Sequence, residues 1–285
     1  MRKNMQKLCC MIALLMLAAS AKAAIVRDSI QSQVLGGVCR YYMVYLPAGY
    51  QQDAQRHYPV LYLLHGFTDD ERAWVDKGQM DRVADELMAT GEAKQMIVVM
   101  PCAGGPDTKN VWNGYFNMPG WPYENHFYQE LLPAVEKKYR CGGSREQRAV
   151  AGLSMGGGGS VGYAIGHPDM FAACYAMSAW LMAETPKDIK PGDKVALVTA
   201  AVAEHNPLAK VDKADEAELN KLRSLAWFFD CGDDDFLFDQ NIEMYKKLRQ
   251  KHFNAQLRVR DGGHNWEYWH NALRLCLPFV SRYFK

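Results

Sequence analysis

The chain has 285 residues, 49% hydrophobic and 23% charged, which suits one large α/β domain with a sizeable core. No repeat period or low-complexity tract runs through it, so solenoid and disordered classes are excluded. Its 33 basic and 32 acidic residues leave a formal charge of +1 without a basic patch, which argues against a nucleic-acid partner.

Arg2, Lys3 and Lys7 precede the apolar run LCCMIALLMLAA, and the small residues of AKA at 21–23 follow it. That pattern predicts a cleaved signal peptide over residues 1–23, since the apolar run falls short of the ~20 residues of a membrane span. The expectation is a periplasmic or secreted protein with one domain over residues 24–285 and no stable membrane insertion. Cleavage removes four basic residues, leaving 29 against 32 acidic, about −3 at neutral pH. Six cysteines remain: Cys39, Cys102, Cys141, Cys174, Cys231 and Cys276. None forms a C-x-x-C, so no metal site is expected. An oxidising compartment permits disulfides, with Cys102 and Cys141 one pair to look for. Nothing in the sequence sets an oligomeric state.

Two β-rich runs, SIQSQVL and RYYMVYLP, flank Gly36-Gly37 and predict a hairpin within residues 29–46. YPVLYLLHG and KQMIVVMP read as strands with a helix near 80–90 between them. Phe127, Leu131, Leu132, Val135 and Tyr139 recur at helical spacing over 125–139. RAVAGLS, AACYAMS, LAWFFDCG and AQLRVRDG are further strands. Helices are expected at 155–166 and 239–252 and at the C-terminus. An antiparallel start followed by strand–helix alternation predicts a mostly parallel twisted sheet with helices on both faces. Two segments break the rhythm. Residues 103–124 form a long loop carrying Trp112, Tyr115, Phe116, Trp121 and Tyr123. Residues 182–222 form an insertion, a lid candidate, with one short helix expected near 213–223.

Gly152-Leu153-Ser154-Met155-Gly156 is a complete G-x-S-x-G between a strand run and a helical run. A strand-to-helix turn this sharp strains the serine, and side chains larger than hydrogen beside it would collide. Ser154 is therefore the candidate nucleophile, and it needs a base. His65 directly follows a strand and His270 falls within the terminal helix. His264, in RDGGHNW, lies on a loop after the last strand, as the chain order serine, acid, histidine requires. For the acid, Asp230, Asp233, Asp234 and Asp235 of WFFDCGDDDFLF all stand at a strand end. Backbone N–H groups of Met155 and of Phe67, after LYLLHG, are the candidate oxyanion donors.

The chain resembles the esterase D-like branch of the α/β-hydrolases from about Tyr41 onward. The likeness lies in YPVLYLLHGFTDDERAW, FYQELLPAVEKKYR, REQRAVAGLSMGGGGS, HPDMFAACYAMSA, CGDDDFLFDQN and GGHNWEYWHNAL. That branch includes the feruloyl and acetylxylan esterases of carbohydrate esterase family 1, S-formylglutathione hydrolases, siderophore esterases and mycolyltransferases. The resemblance implies an α/β-hydrolase fold and an acid three positions after a glycine and ahead of a Phe-Leu pair. This matches Asp235, counted from Gly232. Residues 182–222 match the branch poorly, and the loop at 103–124 matches it only in part.

The resemblance and the signal segment together imply a secreted serine carboxylesterase acting on small-molecule or polysaccharide esters, with feruloyl or acetyl groups on xylan foremost. Trp112, Tyr115 and Trp121 are the expected substrate-binding residues, stacking on a hydroxycinnamoyl ring or a sugar face. The chemistry needs no cofactor. A cytosolic glutathione-linked hydrolase fits a signal peptide poorly. Two other functions share the scaffold: an acyltransferase using the same triad, and a catalytically silent carbohydrate-binding protein.

Overall fold

The computed structural model describes residues 22–285. The expected signal peptide, apart from Lys22 and Ala23, lies outside the described residues. Among the described residues, no helix is long and apolar enough to cross a membrane.

The hairpin forms as β1 (Ala24–Ser32) and β2 (Val38–Leu46), antiparallel throughout, with Gly36 and Gly37 at positive φ in the turn. Six further strands complete one sheet: β3 (Val60–Leu64), β4 (Ile97–Pro101), β5 (Arg148–Leu153), β6 (Ala173–Met177), β7 (Ala226–Gly232) and β8 (Ala255–Arg260). Their order across the sheet is β1-β2-β4-β3-β5-β6-β7-β8. Strands β3 to β8 are mutually parallel, and β2 joins them antiparallel through β4. Every residue of β3 to β7 is buried. That is why these strands read as nearly continuous apolar runs: both faces are covered.

One face packs under α1 (Met80–Ala89), where Val83 and Leu87 meet Leu61, Leu63 and Val98. The other carries α2 (Met155–Gly166), where Val161 and Tyr163 join Tyr62, Leu64 and Val150. On α2's side lies a helical stretch of three pieces: Tyr123–His126, a π-turn Phe127–Leu131, and Leu132–Lys138. Pro133 has no N–H to return to the preceding turn, and the ladder widens just ahead of it.

Residues 182–222 differ from expectation. Instead of one short helix they contain α3 (Lys194–Glu204) and α4 (Pro207–Lys213) as well as α5 (Glu216–Arg223). Asp193, Asn206 and Asp215 cap the three starts with side-chain oxygens. Pro207 is not a breaker here, because at the first helical position its missing N–H costs nothing. Val198, Val202, Val211, Leu219 and Leu222 are buried in the same core as α2. The layers are completed by α6 (Phe238–Gln250) on the α2 face and by α7 (Trp266–Tyr283) beside α1.

All six described cysteines are free. Cys102 gives its thiol to the Gly104 carbonyl, while Cys141 turns toward Tyr139. The pairing considered for them does not form, and burial pushes the Cys102 thiol up to about 11.

Candidate active site

Ser154 stands between β5 and α2 with φ 53°, a left-handed conformation for a non-glycine residue. Such a backbone costs about 1–3 kcal/mol and persists only where its surroundings over-determine it. Here its N–H donates to Met177 O at 2.9 Å, and its carbonyl accepts from Trp180 N at 2.9 Å and Gly158 N at 3.0 Å. The glycines around it have a steric cause. A Cβ on Gly156 would lie 2.4 Å from Leu64 O, one on Gly158 2.0 Å from Trp180 O, and one on Gly152 2.4 Å from Gly156 O. Only glycines let α2 start this close to the ends of its neighbouring strands.

His264 Nε2 lies 2.9 Å from Ser154 Oγ, and its Nδ1 lies 2.9 and 3.0 Å from the two oxygens of Asp235. The carboxylate fixes the tautomer: Nδ1 carries the proton and Nε2 is left to accept from the serine. The acid and the histidine meet because the turns after adjacent strands β7 and β8 are laced together. Asp233 N donates to Arg260 O, Asp234 N to Gly262 O, and Gly262 N to Asp233 Oδ1. A Cβ on Gly232 would overlap Gly262 O at 1.9 Å. Burial pushes the Asp235 carboxyl up, but hydrogen bonds from His264, Ser178 and Leu237 N–H outweigh it and hold the group ionised below its ordinary range.

The other carboxylates of that turn go elsewhere. Asp230 is buried and accepts from the Tyr268 hydroxyl at 2.6 Å, from Tyr175 and from Arg260. Asp233 and Asp234 are exposed. His270 holds the Gly78 carbonyl through Nδ1 at 2.8 Å, tying α7 to a distant turn.

Among the described residues, no acceptor takes the N–H of Met155 or of Phe67. The first turn of α2 supplies the former, with its helix dipole favouring negative charge. The β3 turn brings the latter close: a Cβ on Gly66 would lie 3.6 Å from Ser154 Cβ. His65 is buried against this turn. Its Nε2 accepts from Ala103 N at 2.9 Å, so Nδ1 holds the proton and donates to Gly66 O at 2.8 Å. Gly66 O and Phe67 N–H belong to one trans peptide, so anchoring the carbonyl aims the N–H the opposite way.

Of the expected substrate-binding aromatics, two are unavailable to a ligand. Tyr115 is 1% exposed, its hydroxyl donating to His65 O, and Trp121 is 5% exposed. Both serve the core, since a long loop over a sheet must bury its own aromatics. Trp112 is half-buried and stacks on Trp121 at 5.7 Å. The aromatic surface beside Ser154 belongs instead to Phe67 and Trp180, edge to face at 6.3 Å, and to Phe236, whose ring lies 4.5 Å from that of His264. Sequence reasoning missed Trp180, Phe236 and Ser178. Phe236 alone had a signal, an apolar residue inside an acidic turn.

The family model described as "Putative esterase" matches residues 32–279. A solved ferulic acid esterase is 50% identical, with a TM-score of 0.89, over 93% of this chain and 99% of that one. An endo-1,4-beta-xylanase/feruloyl esterase of Xylanibacter ruminicola is 32% identical over 177 residues, 61% of this chain. The match spans only 24% of that relative's length. An acetyl esterase of Caldicellulosiruptor saccharolyticus is 23% identical over 78% of this chain and 83% of its own.

Proposed function

Because the chain belongs to the esterase family, we propose that it is a secreted serine carboxylesterase that hydrolyses carbohydrate-linked esters, feruloyl esters foremost, through Ser154, His264 and Asp235. The observation that carries this reading is the unbroken run from Asp235 through His264 to Ser154 Oγ, beside two N–H groups that no acceptor takes among the described residues. His264 Nε2 takes the Ser154 proton as Oγ attacks the ester carbonyl, and the Met155 and Phe67 N–H groups hold the oxyanion. His264 then protonates the departing alcohol, and water repeats the sequence on the acyl-enzyme.

The 50% identical ferulic acid esterase and the xylanase/feruloyl esterase support a hydroxycinnamoyl acyl group on a plant polysaccharide. Phe67 and Trp180, half-buried beside Ser154, offer that ring two aromatic surfaces. The acetyl esterase keeps acetyl esters as the second reading. The basic, apolar and small-residue pattern of residues 1–23 supports export.

Hydrolysis of methyl ferulate, acetylated xylan and short- and long-chain nitrophenyl esters by the parent and by Ser154→Ala tests the proposal. Turnover of methyl ferulate that vanishes in the variant is expected. Turnover of acetyl esters alone would remove the feruloyl assignment. Turnover that survives in Ser154→Ala would remove the serine mechanism.

A further inference from the structure

Phe236 is 77% exposed, whereas the other exposed large hydrophobics among the described residues lie between 37% and 42%. Its position is fixed rather than incidental. Asp235 and Leu237 on either side are buried, Asp235 Oδ1 accepts from Leu237 N at 2.9 Å, and Asp235 O accepts from Phe238 N at 2.8 Å. The turn that aims Asp235 at His264 therefore points the next ring outward. That ring lies 4.5 Å from the imidazole at an interplanar angle of 49°. Trp269, itself buried, packs against the same imidazole edge to face at 4.8 Å. The histidine thus has a buried aromatic neighbour and a solvent-facing one.

The reaction decides what meets the solvent-facing ring. When the tetrahedral adduct breaks down, the bond from the carbonyl carbon to the departing oxygen is cleaved. That oxygen takes the proton which Nε2 received from Ser154, so it must lie within hydrogen-bond reach of His264. Whatever the oxygen is attached to then extends over the imidazole and its exposed neighbour, Phe236. The acyl group leaves the same carbon on another side, which the proposal above assigns to Phe67 and Trp180. Asp234, exposed two residues before Phe236, offers a carboxylate of the kind that accepts from hydroxyls. An exposed aromatic face beside an acceptor suits a neutral sugar ring, which presents C–H groups on one face and hydroxyls at its edge.

We propose that Phe236 is a stacking platform for the sugar that carries the ester, so that it selects sugar esters over esters of small alcohols. This rests on the esterase reading above. It places sugar recognition on the alcohol side of the site, apart from the aromatic loop at 103–124.

The test compares kcat/KM for a feruloylated arabinoxylo-oligosaccharide and for methyl ferulate in the parent, Phe236→Ala and Phe236→Tyr. Acetylated xylo-oligosaccharide and ethyl acetate form a second pair, in case the acyl group is acetyl. Phe236→Ala is expected to lower kcat/KM on the sugar ester about five- to tenfold more than on the small-alcohol ester, mainly through KM. Phe236→Tyr keeps the parental preference. An equal fall on both members of a pair would show that the ring only supports His264, and no change on either would show that it touches no substrate. Either result overturns the stacking role while the esterase reading stands. Failure of the parent on all four esters would overturn both.

Discussion

Trp269 donates its indole N–H to the Ser178 hydroxyl at 3.0 Å, and Ser178 in turn is one of the polar neighbours that hold the Asp235 carboxyl below its ordinary range. Ser178 is fully buried at φ 44°, with its N–H on Asp230 O. A helix on one side of the sheet thus steadies the carboxylate that orients His264. Ser178→Ala should lower kcat on methyl ferulate about 10- to 100-fold with little change in KM, the worth of one hydrogen bond to a charged group. Steady-state kinetics read this directly, and an unchanged kcat would remove Ser178 from the orienting chain.

His65 anchors the peptide that carries the Phe67 N–H, the proposed second oxyanion donor. His65→Ala frees the Gly66 carbonyl and leaves Ala103 N–H buried without its acceptor. A drop in kcat of about 10²–10³, as for a lost oxyanion donor, is the expected upper range. Burial lowers the pKa of His65 below 6.5, so below about pH 6.5 the unfolded chain binds a proton that the folded one does not. Stability should fall as pH drops from 6.5. The slope should be shallower in His65→Gln, followed by denaturant unfolding at several pH values.

The glycine run of α2 is a packing requirement. Gly158→Ala would place Cβ 2.0 Å from the carbonyl oxygen of Trp180, the residue whose N–H donates to Ser154 O. Destabilisation of about 3 kcal/mol or more is expected. Gly192→Ala, with open space around it but φ 82°, should cost only about 1 kcal/mol. Melting temperatures of the two variants give the comparison.

Glu130, in the π-turn, clips the β1–β2 hairpin to the helix. Burial pushes its carboxyl up, but hydrogen bonds from His126, Ser32 and the N–H groups of Val34 and Gln33 outweigh this and hold the pKa at about 2. The stabilisation is therefore present above the ordinary 4.5 and is lost as pH falls through 4.5 toward 2. Glu130→Gln should cost about 1–3 kcal/mol at pH 7, and the gap to the parent should close in that acid window. A gap that stays constant down to pH 2 would mean that the charge contributes nothing.

Much of this was legible in the sequence because burial writes itself plainly into composition. Strands covered on both faces must be almost wholly apolar, so YPVLYLLHG and RAVAGLS announce the sheet. Ser154 and His264 follow from a strained turn and a late loop. Asp235 did not follow from local chemistry alone. Four carboxylates stand at or just past the end of that strand, and which of them faces His264 depends on the lacing between the β7 and β8 turns, a contact between segments about thirty residues apart. Tyr115 and Trp121 were misplaced because an aromatic in a long loop looks the same whether it covers a core or lines a cleft. Phe236 and Ser178 gain their meaning only from their distance to His264 and Asp235.

The most direct measurement is mass spectrometry of the protein quenched during turnover of methyl ferulate. A feruloyl adduct on the peptide carrying Ser154, absent in Ser154→Ala and built up further when the step with water is slowed, is the predicted result. Turnover of the ester with no adduct at Ser154 under any quench, or with an adduct on another residue, would contradict the proposed mechanism.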